Sequence, residues 1–83
     1  MNYVIEWAPL AYHFFDSLQR DVAERILEKL DEVQKNPFRY LKHYEGKGYK
    51  LRIGDYRIIF DVDFKSKILI IRILDKRGRI YKK

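Results

Sequence analysis

Cysteine is absent from these 83 residues, which excludes disulfides, thiolate metal ligands and a cysteine nucleophile together. Only His13 and His43 carry imidazole, and they stand too far apart to read as a metal motif. The expectation is therefore no metal and no other cofactor, and a paired-histidine mechanism is also out of reach. No apolar run approaches the roughly 20 residues that span a bilayer, and the first residues lack the charged, apolar and small-residue regions of a signal peptide. A soluble, cytoplasmic chain is expected. Repeats, low-complexity tracts and linkers are missing as well, so residues 1–83 read as a single domain.

What is present suffices for a core. Hydrophobic residues make up 47% of the chain, with seven Tyr, five Phe and one Trp among them. The net charge is +6, but it is unevenly spread. Residues 1–36 hold four basic and seven acidic groups, for −3, whereas residues 37–83 hold fourteen basic and five acidic, for +9. Such asymmetry within one small chain implies a single positive region, whose usual partner is a polyanion.

The few prolines and glycines punctuate the chain. Asn2 to Glu6 reads as a short strand, and Pro9 to Leu18 as a short helix with proline in its first turn. Val22, Ala23, Ile26, Leu27, Leu30 and Val33 recur at helical spacing, Asp21 and Glu24 suit the first turn, and Asn36-Pro37 ends the run. The charged outer face of that helix reads as a solvated surface with helpful ion pairs. An aromatic and basic connection, FRYLKHYEGKG, leads to three strands, Tyr49 to Ile53, Tyr56 to Asp63 and Lys67 to Leu74, with a break at Asp75 to Gly78 before the final RIYKK. The fold class is α+β: an N-terminal strand and a helical hairpin packed on one face of a small, largely antiparallel sheet. Trp7 and Tyr56 read as core.

The hairpin YKLRIGDYRIIF raises a problem. Its arms alternate about a two-residue Gly54-Asp55 turn, which sets Arg52 opposite Arg57 with Lys50 on the same face. Like charges facing each other across a ladder destabilise it. An anion seated on that face would resolve the conflict, and Lys76 and Arg79 can extend the same cationic surface. Whether Arg72 joins this face or pairs with Asp61 is open, as is the plain alternative of a basic surface that binds an acidic protein.

The run YKLRIGDYRIIF, followed by a hydrophobic strand and DKRGRIY, resembles the RelE toxins of the RelE/ParE superfamily over nearly the whole chain. The resemblance implies a type II toxin that cuts messenger RNA in the ribosomal A site and is neutralised by a RelB-like antitoxin. It further implies Lys50 as general base, Arg57 as the phosphate-stabilising arginine, Arg77 at the leaving group and Tyr81 as an orienting ring, with Arg52 holding RNA. A second lysine found in one member falls here on Gly48, and the adjacent Lys47 is its possible substitute. ParE-type toxins, which share the fold and poison DNA gyrase, provide the alternative, together with an inactive antitoxin-binding module.

Overall fold

The computed structural model of the chain describes residues 2–46 and 48–76. In chain order these form β1 (Val4–Trp7), α1 (Pro9–Asp16), α2 (Arg20–Lys35), a single turn α3 (Pro37–Tyr40), β2 (Lys42–His43), β3 (Gly48–Ile53), β4 (Tyr56–Asp63) and β5 (Ile68–Lys76). The strands make one sheet in the order β1-β5-β4-β3-β2. β1 runs parallel to β5 and the other three ladders are antiparallel.

Pro9 occupies the first turn of α1, where its missing N–H leaves no broken bond. Helix α2 places Ile26, Leu30 and Val33 in the core, but Leu27, which falls on the same apolar stripe by periodicity, is 50% exposed. The i,i+3 and i,i+4 ion pairs expected on the outer face are present as Arg20–Glu24, Lys29–Glu32 and Lys35–Asp31. Asn36-Pro37 stops α2 as expected.

The helices cover one face of the sheet. Leu51 and Ile53 of β3, Ile58 and Phe60 of β4, and Leu69, Ile71 and Leu74 of β5 point into that layer and are buried. Tyr49, Tyr56 and Trp7 lie partly buried against it. The β3–β4 hairpin keeps the register counted from the sequence, Leu51 opposite Ile58 and Arg52 opposite Arg57. Gly54 has φ +57°, as the first central position of a II′ turn requires. At the next turn the Asp63 carboxylate accepts hydrogen bonds from the Lys65 and Ser66 amides, at 3.1 and 3.0 Å.

Three expectations need correction. The 38–48 connection contains the turn α3 and the short strand β2, because Pro37 starts a helical turn and Lys42-His43 pairs with β3. Lys67 is not in a strand; its φ of 59° belongs to the turn. The break placed at Asp75 does not occur there, since β5 runs on to Lys76, held by pairing with Arg57 and Tyr56 of β4.

Candidate nucleic-acid interface

On the sheet face away from the helices, cations meet in two rows. Lys50 is the cross-strand partner of Lys42 on β2, and Arg52 is the partner of Arg57 on β4. Strand β3 therefore faces a like charge across each of its ladders, where opposite charges would contribute and like charges cost roughly 0.2–1 kcal/mol. Part of the second conflict is resolved within the fold: Arg57 is flanked on its other side by Asp75. Arg52 also reaches forward to the turn, its Nε donating to the Gly54 carbonyl at 3.2 Å. Lys50 carries its ammonium 5.9 Å from the centre of the Tyr44 ring.

Beyond Lys50 the outer edge of β3 has no strand partner among the described residues, because β2 is only two residues long. Side chains from the helical side reach that edge. The result is a groove of about 510 Å³ whose lining includes Lys29, Arg39, Lys42, Lys50, Arg52 and Arg57, with no carboxylate among the described residues that line it. Tyr40 sits between its helical cations, 4.8 Å from Lys29 Nζ and 6.0 Å from the Arg39 guanidinium carbon. A groove of this size holds a ligand larger than a lone phosphate. A nearby cavity of about 450 Å³ is lined by Asp61 and Asp63 with His43, Tyr49 and Phe64, and its two carboxylates make it less suited to phosphate than the groove.

Of the residues singled out in the sequence, the fold brings Lys50, Arg52 and Arg57 into one groove. Lys76 is the partner of Tyr56, so it leaves the Arg52–Arg57–Asp75 row for the opposite face of the sheet. Lys47, Arg77, Arg79 and Tyr81 lie outside the described residues. Arg72 bonds Asp61 at 2.7 Å, which answers the open question in favour of the ion pair. His13 is exposed on α1, and His43 is exposed on the edge strand, its Nε2 within 3.0 Å of the Gly46 carbonyl.

Sequence reasoning misses Lys29, Arg39 and Lys42. Arg39 and Lys42 are visible as charge in the basic connection, but their alignment with β3 depends on α3 and β2 forming. Lys29 looks like any other cation on a solvated helix. The glycine at position 48 has a steric cause: a Cβ there would stand 2.8 Å from the Glu45 carbonyl oxygen, in a tight loop closed by the Gly48 N–H to Glu45 carbonyl bond of 2.6 Å.

Residues 5–80 match the family model described as the ParE toxin of type II toxin-antitoxin system, parDE. The chain belongs to the RelE/ParE superfamily of type II toxins. Among solved structures, this toxin is similar to the archaeal RelE–RelB complex of Pyrococcus horikoshii, with 29% identity, a TM-score of 0.79, and coverage of 95% of this chain and 99% of that one. The same fold appears in a RelBE toxin–antitoxin complex of Mycobacterium tuberculosis, with 18% identity, a TM-score of 0.83 and coverage of 93% and 100%. It appears again in the isolated RelE toxin of Escherichia coli, with 21% identity, a TM-score of 0.79 and coverage of 93% and 86%. No curated protein matches the chain in sequence. Among the described residues, no helix of this toxin is long and apolar enough to cross a membrane.

Proposed function

We propose that this toxin is a ribosome-dependent endoribonuclease that cleaves messenger RNA in the A site and is held inactive by a RelB-like antitoxin. The observation that carries this reading is the groove itself, where an amine and two guanidiniums from adjacent strands converge with no carboxylate in the described lining. Cleavage by the 2′-hydroxyl route needs a proton acceptor, stabilisation of the charge that builds on phosphorus, and neutralisation of the departing oxygen.

Lys50 takes the 2′-hydroxyl proton as that oxygen bonds to phosphorus. Arg57, with Arg52 beside it, presents guanidinium donors to the non-bridging oxygens, where negative charge accumulates in the transition state. The bond from phosphorus to the 5′-oxygen then breaks, and Arg77 either delivers a proton to that oxygen or holds its charge until water protonates it. Tyr81 orients the strand. The products are a 2′,3′-cyclic phosphate and a 5′-hydroxyl, with the proton removed at Lys50 balanced by the one gained at the leaving oxygen.

A complex with an antitoxin is supported by the similarity to RelE–RelB assemblies, and an acidic segment laid in the groove would compete directly with RNA. A second reading, inhibition of DNA gyrase, has its own support in the family model, which describes ParE toxins. The deciding test is cleavage of messenger RNA on programmed ribosomes by the intact chain, Lys50→Ala and Arg57→Ala. Cleavage that falls at least about a hundredfold in either variant supports the nuclease and its site. A folded intact chain that cuts nothing and blocks gyrase supercoiling transfers the assignment to the second reading.

A further inference from the structure

The two like-charge pairs are not equivalent. Arg52 and Arg57 share their row with Asp75, whereas the row of Lys42 and Lys50 continues into Ile59 and Ile73, which carry no charge. Around the unpaired edge of β3 the cation series then extends through Arg39 and Lys29, residues of two different helices. Lys29 is held to Glu32 at 3.4 Å, an exposed contact of small worth, so its charge remains available to the groove. Three cations from α2, α3 and β2 thus stand beside the proposed cleavage residues, at positions that the reaction itself does not use.

We infer that Lys29, Arg39 and Lys42 form a second phosphate subsite, holding the phosphodiester next to the one that is cleaved. The inference rests on the ribonuclease reading for the identity of the strand, and its substance is that the groove grips a polynucleotide at two successive phosphates. A chain anchored at a second phosphate loses rotational freedom about the scissile one, which is how remote contacts lower the barrier for an in-line attack. Tyr40 lines the same groove, with Lys29 and Arg39 near its ring. The subsite therefore discriminates polynucleotides from single nucleotides.

The test uses the intact protein and an octathymidine deoxyribonucleotide, which lacks the 2′-hydroxyl and cannot be cut by this route. Binding is followed by fluorescence anisotropy as salt is raised, since each phosphate neutralised on a single strand contributes about 0.7 to the slope of log affinity against log salt. Arg39→Gln with Lys42→Gln should lower that slope by about 1.4, because two cations no longer release counterions from the strand. Adenosine monophosphate, which carries a single phosphate, should lose less affinity in the variant than the oligonucleotide does. Arg20→Gln with Lys35→Gln removes the same charge from exposed positions outside the groove, and it should leave the slope unchanged.

An unchanged slope in the groove variant overturns the subsite, as does an equal fall in the control or no oligonucleotide binding by the folded intact chain. Loss of affinity for an acidic antitoxin peptide with the oligonucleotide slope intact overturns it in favour of a protein contact. The subsite and the nuclease can fail separately: a slope that drops as expected in a chain that cuts nothing on ribosomes upholds the polynucleotide grip and removes the catalytic reading.

Discussion

The facing arginines of the hairpin should repel each other measurably in the free protein, and a double-mutant cycle on Arg52 and Arg57 isolates that repulsion. Both residues are replaced by threonine, singly and together, which suits a strand and lets propensity effects cancel around the cycle. The pair is a direct cross-strand pair, for which like charges cost roughly 0.2–1 kcal/mol. Half-burial of Arg57 raises the figure, while Asp75 on its far side lowers it, so a coupling of about 0.5 kcal/mol in the repulsive sense is expected. In a chain this small, that corresponds to about 2–4 °C in Tm. Thermal and urea denaturation at low ionic strength read the coupling, and at 1 M salt, where the screening length is about 3 Å, it should vanish. Sulfate should act differently from chloride at matched ionic strength, because an anion seated between the guanidiniums stabilises only the folded state. At ten times its Kd the gain is about 1.4 kcal/mol, or roughly 6–11 °C. A coupling of zero or of attractive sign at low salt would refute the reasoning. So would an equal sulfate gain in the intact chain and the double variant.

Three further outcomes follow from the packing. Gly48→Lys, which introduces the second lysine that the family resemblance implies at this position, should destabilise the chain without adding activity. The new Cβ meets a backbone carbonyl at 2.8 Å, so a lower urea midpoint and unimproved cleavage are expected. Gly54→Ala should cost about 1–2 kcal/mol, read from the same transition, because φ is +57° there and an L side chain is strained even though its nearest neighbour, Arg25, leaves room at 3.6 Å. Ile26→Ala should cost about 2–5 kcal/mol by urea denaturation, whereas Leu27→Ala, one residue along the same helix, should stay below about 1 kcal/mol. Equal costs at those two positions would contradict an α2 that buries Ile26 and leaves Leu27 half in solvent.

The hairpin was readable from local chemistry because a two-residue turn fixes register by counting. Once Gly54-Asp55 is the turn, Arg52 must face Arg57, and the alternation decides which residues go under the helices. Helix α2 was equally plain from its stripe and its Asn36-Pro37 stop, although periodicity alone did not exclude Leu27 from the core. The stripe is wider than the surface that the sheet offers to it.

What the sequence alone determined rests on neighbours a few residues apart: the Gly54-Asp55 turn, helix α2, the hairpin register, and the arginine pair that suggested an anion. Tertiary structure decided the rest. Asp75 reaches Arg57 only because β5 continues past its expected end, and Lys42 meets Lys50 only because a two-residue strand docks on the edge of β3. Lys29 enters the groove from a helix separated from β3 by the whole connection. Such juxtapositions depend on how elements distant in the chain pack and close their loops, and no local period or turn preference records where a long-range partner will arrive.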